Sequence, residues 1–203
     1  MVKGLDTFQK YFADYEEQYV LIGGAACDIL FESNEVNFRA TRDLDMVLIV
    51  EALTPKFGEK IWKFIVDGKY RNKATNGSNP QFYRFDKPED DNFPKMIELF
   101  CRSDFKLKDA KGITPIHIDD EVSSLSAILL NDDYYKALLN GKEVRKGLSV
   151  LRPEYIILFK AKAYLDLKKQ KDLGEKVDSS DIKKHKNCLL YTSPSPRDGA
   201  TSR

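Results

Sequence analysis

Apolar residues recur at helical spacing from Thr7 to Gln18, where Phe8, Tyr11, Phe12 and Tyr15 fall on one side of "TFQKYFADYEEQ". The pattern then tightens. "YVLIG", Tyr19 to Gly23, is a continuous apolar run ending on glycine, which predicts a short buried strand. "GAACDILFES" carries Ala26, Ile29 and Leu30 at helical spacing, so the local reading is strand, Gly-Gly, helix. In "DLDMVLIV", Asp43 to Val50, the period is two. Asp43, Asp45, Val47 and Ile49 share one face; Leu44, Met46, Leu48 and Val50 share the other. Beyond the two aspartates both faces are apolar, as in a central strand covered on both sides.

"PKFGEKIWKFIVDG" opens on proline, stops before glycine and aligns Phe57, Ile61, Phe64 and Ile65, so it predicts a helix. A polar, glycine-containing loop from Arg71 to Pro80 follows. Then come two strands, "QFYRFD" and "KMIELFCR", joined by the acidic turn "KPEDDNFP". Helices are expected from Leu125 to Leu139 and from Glu154 to Lys171. The order predicts an α/β chain of the α+β type: a mixed central sheet with helices around it and a helical C-terminal part. The expected units are residues 1–120, holding the sheet, and the helical residues 121–187.

The tail "CLLYTSPSPRDGATSR", Cys188 to Arg203, breaks this pattern and reads as the translation of a sequencing adapter, with the natural chain expected to be cut near Asn187. Lys and Arg number 33 and Asp and Glu 32, a net charge of +1; without Arg197, Arg203 and Asp198 the two balance. That balance neither argues for a nucleic-acid-coating protein nor excludes a local basic groove. No apolar run approaches the roughly 18 to 20 residues of a membrane span, and the N-terminus lacks the apolar core of a signal peptide. Outside the tail only Cys27 and Cys101 remain, both in apolar patterns and read as core. A reduced, cytoplasmic protein is expected.

Chemistry concentrates in few places. Alternate residues on a strand lie roughly 6.5 to 7 Å apart on one face, so Asp43 and Asp45 aim their carboxylates the same way at the strand's mouth. Two anions so placed repel unless a cation lies between them. Mg²⁺ fits, since it typically takes one or two carboxylates plus phosphate oxygens and waters. Glu98 is the only charged residue in "MIELFC". In an apolar strand it must be paired, with Arg84 or Arg102 as partners, or metal-bound, or at a cleft. The paired glycines Gly23 and Gly24 let backbone N–H groups approach a phosphate at a helix N-terminus. His117 and His185 lack metal-ligand spacing and read as surface or locally bonded residues.

Strand, Gly-Gly, helix, then Thr-x-Asp-x-Asp on the next strand and an acid on a later one resembles the polymerase-beta-like nucleotidyltransferase superfamily. Within it the chain looks closest to the AbiEii-type nucleotidyltransferases, many of them toxin or phage-defence components. Gly23, Gly24, Ala26, Arg39, Thr41, Asp43 and Asp45 fill that pattern. The resemblance implies the nucleotidyltransferase fold, with residues 1–120 as its catalytic core. It implies that Asp43, Asp45 and Glu98 hold Mg²⁺, or Mn²⁺ in its place. Gly23 and Gly24, with Arg39, Thr41 and Arg42, would bind the nucleotide.

A late-helix lysine and a following acid also belong to the family's pattern; Lys160 and Asp181 supply them here, with Lys162 and Asp178 as alternatives. The chain departs in having Ala25 after the glycine pair, and Glu rather than Asp as third acid. The activity implied is transfer of a nucleoside monophosphate from an NTP to a hydroxyl of RNA, protein or a small molecule, with a cognate antitoxin as an expected partner. Two other readings stand beside it. One is a nucleotidyltransferase-fold module that binds nucleotide or a partner without turnover. The other is a glycosyltransferase using Asp-x-Asp to hold a metal and a nucleotide-sugar.

Overall fold

The computed structural model describes residues 2–31, 43–49, 51–72, 84–100, 132–180, 182–183 and 185–186. Five helices stand out among them: α1 (Leu5–Phe12), α2 (Gly23–Phe31), α3 (Pro55–Asp67), α4 (Asp132–Gly141) and α5 (Pro153–Asp172). The strands are β1 (Tyr19–Ile22), β2 (Asp43–Leu48), β3 (Arg71–Asn72), β4 (Arg84–Asp86), β5 (Met96–Phe100), β6 (Lys142–Arg145) and β7 (Leu148–Leu151). They form one mixed sheet in the order β3-β4-β5-β2-β1-β7-β6. β2 runs parallel to β5 and β1 parallel to β7, and the other neighbours are antiparallel. The expected mixed α/β architecture is therefore present, with β2 at the centre of the sheet.

Local chemistry accounts for most element ends. Thr54 caps α3 by accepting a hydrogen bond from Phe57 N at 3.3 Å, Pro55 follows it, and Gly68 closes the helix. α1 ends at Phe12, earlier than its apolar spacing predicts, because Ala13 turns to extended backbone and Asp14 takes a left-handed φ of 77°. Aspartate is among the residues that tolerate that region. Tyr15 still reaches the core from the turn, its ring 5.6 Å from that of Phe57.

The C-terminal part corrects an expectation of helix alone. Residues 142–151 form a β-hairpin, and β7 joins β1 through Leu21 and Val150. The turn is Lys146-Gly147, with φ of 52° and 68°. Two positive-φ residues between Arg145 and Leu148, which face each other across the hairpin, match the twist of the flanking strands. Arg71 and Asn72, expected in a loop, pair as β3 with Asp86 and Phe85. Residues 125–131, Asp181, His117 and the tail 188–203 lie outside the described residues.

Period two separates the sheet's faces. Tyr19, Leu21, Leu44, Met46, Phe85, Ile97 and Leu99 point to one side and are buried. α1 and α3 cover this side with aromatic rings: Phe8, Phe12 and Phe57 surround Tyr19, and Trp62 meets Phe85 edge-on at 6.0 Å. Each fully buried side chain of this size contributes roughly 1.5 to 3 kcal/mol. On the other side α2 packs against β1, β2, β7 and α5. No helix among the described residues is long and apolar enough to cross a membrane.

This packing makes the fold sensitive to alkali. Burial raises the phenol pKa of both Tyr19 and Tyr70, whose hydroxyl donates to Pro94 O at 2.5 Å. A hydrogen bond to Asp67 pushes that of Tyr11 up to about 12. Folded values above the unfolded value mean that stability is fully present below the unfolded tyrosine pKa, about 10, and falls as pH rises past it. Urea unfolding at pH 8 and pH 11 should show the loss, about 1.4 kcal/mol per pH unit for buried Tyr19. The Tyr19→Phe/Tyr70→Phe variant should lose less over the same interval.

Candidate functional site

β2 enters the sheet at Asp43, and the residues at its mouth alternate between partly exposed and buried: Asp43 and Asp45 partly exposed, Leu44 and Met46 buried. The buried face is clamped by the aromatic layer, so the carboxylates are held on the opposite face by a strand that cannot slip one residue without burying both. Asp43 and Asp45 therefore share a face, as their spacing predicts.

Register brings the third acid beside them. Asp45 pairs with Glu98 of β5, Glu98 with Arg84 of β4, and Ile22 of β1 lies across from Asp45. Paired residues point to the same face, so Arg84, Glu98 and Asp45 form one row across three strands. The row beside it holds Asp43, Met96, Asp86 and Arg71. Glu98 is bound by Arg84: Nε donates to Oε1, and Nη2 pairs with the same oxygen. Of the two arginines the sequence offers, Arg84 is thus the partner of Glu98; Arg102 lies outside the described residues.

The glycine turn abuts this row. Gly23 has φ +67°, and a methyl group added there would stand 2.3 Å from Oδ2 of Asp45. Glycine is needed twice over, for the left-handed backbone and for the approach of the carboxylate. α2 begins at this residue, with Gly24 in its first turn, so the positive end of the helix dipole faces Asp45. Arg39, Thr41 and Arg42 lie outside the described residues.

Lys160 sits on α5 among Ile156, Phe159 and Ala163 and is only 6% exposed. Its ammonium has no hydrogen bond or ion pair among the described residues, and none joins it to the three acids. The alternatives are engaged locally: Lys162 pairs with Asp166 one turn on, and Asp178 accepts from Ser180 N at 2.8 Å. Sequence reasoning passed over Asp28, an acid on α2 with only 9% exposure. Its signal was present, since Asp28 is the only charged residue in "GGAACDILF".

Among the described residues no three His, Cys, Asp or Glu side chains gather closely enough to enclose a metal ion. Asp43 and Asp45 alone suit Mg²⁺, which keeps waters and takes phosphate oxygens alongside one or two carboxylates. The donor set is hard, anionic and partly exposed, and it fits that ion. Compared with family models, curated proteins and solved structures, the chain matches none.

The Gly23 contact is testable against an internal control. Gly147 has nearly the same φ, +68°, but a methyl group there meets only the end of Gln9, 3.3 Å away. Both Gly→Ala variants should lose about 1 to 2 kcal/mol from the left-handed backbone. Gly23→Ala should lose about 1 to 3 kcal/mol more, as overpacking does. Urea unfolding of the two variants reads the difference, and equal losses would remove the Asp45 contact from the account.

Proposed function

We propose that this chain is a Mg²⁺-dependent nucleotidyltransferase that moves a nucleoside monophosphate from an NTP to an acceptor hydroxyl. The observation carrying this reading is the row at the mouth of β2: Asp45 against Gly23 at the start of α2, Asp43 on the same face, and Glu98 in register one strand away. Paired acids suit a divalent ion, and a glycine-opened helix N-terminus beside them suits phosphate.

In this reading Asp43 and Asp45 would hold the ion, and Glu98, in register beside Asp45, is held by Arg84 at the edge of the pair. The ion supplies charge neutralisation at the phosphates. Gly23 and Gly24 bring backbone N–H groups against the triphosphate. The acceptor oxygen bonds to the α-phosphorus, the bond from that phosphorus to the bridging oxygen breaks, and pyrophosphate leaves with the electron pair. The hydroxyl proton passes to a carboxylate, for which Glu98 has Oε2 outside its contact with Arg84. Lys160, buried on α5 without an ion pair among the described residues, is the cation this reading assigns to the anionic substrate. Catalysis comes mainly from positioning and from charge.

A second reading, nucleotide binding without turnover, draws support from the Arg84–Glu98 pair, which engages the third acid. One experiment tests both. The protein is incubated with each α-³²P-labelled NTP, Mg²⁺ and total RNA, beside the Asp43→Asn/Asp45→Asn variant. Label moving to RNA or to protein, reduced on the order of 100-fold or more in the variant, is the expected result. Metal-dependent nucleotide binding lost in the variant, with no label on RNA or protein, points to a small-molecule acceptor or to the binding module. A variant that binds metal and nucleotide like the wild type contradicts both.

A further inference from the structure

Arg84 enters the site through its ion pair with Glu98. Its Nε and Nη2 both meet Oε1 of Glu98, so one edge of the guanidinium closes on a single carboxylate oxygen. The edge through Nη1 is outside that pair, as is Oε2 of Glu98. A guanidinium binds a carboxylate or a phosphate best with two parallel N–H donors, and it has two such edges. The pair engages Nε and Nη2, so the Nη1 side of the same planar guanidinium stays available to a second anion.

The setting favours an anion at that edge. The Arg84 side chain is 32% exposed and that of Glu98 14%, so the glutamate is the anchor and the arginine the outward group. Arg84 stands in the row that runs through Glu98 and Asp45 to Ile22, the last residue before the Gly23 turn. That row ends at the N-terminus of α2. An anion lying along it would meet backbone N–H groups at one end and a guanidinium at the other, with the acids between them. Such an anion needs charge distributed along its length, as a polyphosphate has.

We propose that Arg84, oriented by Glu98, is a triphosphate-contacting residue of the nucleotide site. This rests on the nucleotidyltransferase reading. Glu98 acts as a positioning residue for Arg84 through Oε1, whatever Oε2 does. The anion class is a polyphosphate, and inorganic tripolyphosphate is the probe.

Tripolyphosphate binding in Mg²⁺ is measured by calorimetry, and binding of Mn²⁺ alone by electron paramagnetic resonance. Arg84→Ala should weaken tripolyphosphate binding about 10- to 100-fold, the scale of a lost charge-assisted contact, and leave Mn²⁺ affinity undiminished. Arg84→Lys guards against a folding defect: the ammonium can still pair with Glu98, but it has no second edge. It should keep the thermal midpoint of the wild type and still lose at least several-fold in tripolyphosphate affinity. Arg145→Ala, on the β6 edge, removes an equal charge and should change neither.

Wild-type tripolyphosphate affinity in Arg84→Lys, with a lowered midpoint in Arg84→Ala, would overturn the proposal and leave Arg84 a structural partner of Glu98. The larger reading fails by a different observation, unchanged Mn²⁺ binding in Asp43→Asn/Asp45→Asn. The two failures are therefore distinguishable.

Discussion

The close approach of Gly23 to the Asp45 carboxylate sets the geometry of the candidate site. β1 ends at Ile22, and the next residue turns into α2 through a left-handed glycine. Any side chain there would meet Oδ2 of Asp45 on the adjacent strand. The helix therefore starts directly over the neighbouring strand's acid. This arrangement faces a carboxylate with the positive end of a helix dipole, a favourable pairing. It also leaves α2 free to pack across β1, β2 and β7. One contact ties the course of the chain to the position of its charge.

The two sides of the sheet divide the work. The aromatic layer of α1 and α3 makes β2 rigid and fixes its register, because a slip by one residue would bury Asp43 and Asp45 and expose Leu44 and Met46. Rigidity on that side is what lets acids be held in place on the other. The acidic side is not uniformly negative. Arg84 neutralises part of it, and its position opposite Glu98 follows from β4 pairing antiparallel to β5. In the proposed reading an anionic substrate would meet a fixed guanidinium and helix N–H groups as well as repelling acids.

Much of this was legible in the amino-acid order, and the rest was hidden for definable reasons. The β1–Gly-Gly–α2 unit, the central β2 and the capped helix at Thr54 and Pro55 follow from local patterns, and local patterns are what a sequence displays. Asp43 and Asp45 share a face by period alone. The neighbourhood of Asp45 and Glu98 was not readable, because the parallel register of β2 and β5 is written in neither strand. The choice of Arg84 for Glu98 has the same origin.

The hairpin at 142–151 was missed because Lys-Gly is a weaker turn signal than Asn-Gly, and because "LSVL" is too short for its period to separate strand from helix. Lys160 and Lys162 were indistinguishable by spacing. The structure separates them by burial of one and by pairing of the other with Asp166.

The most direct test of the account is a crystal grown with Mn²⁺ and a non-hydrolysable NTP analogue, with diffraction data collected at the manganese edge. The account predicts an anomalous peak bounded by the carboxylates of Asp43 and Asp45, with the triphosphate reaching from the Gly23–Gly24 turn. A peak elsewhere on the chain, or nucleotide bound away from β2 with no metal between the aspartates, would contradict it.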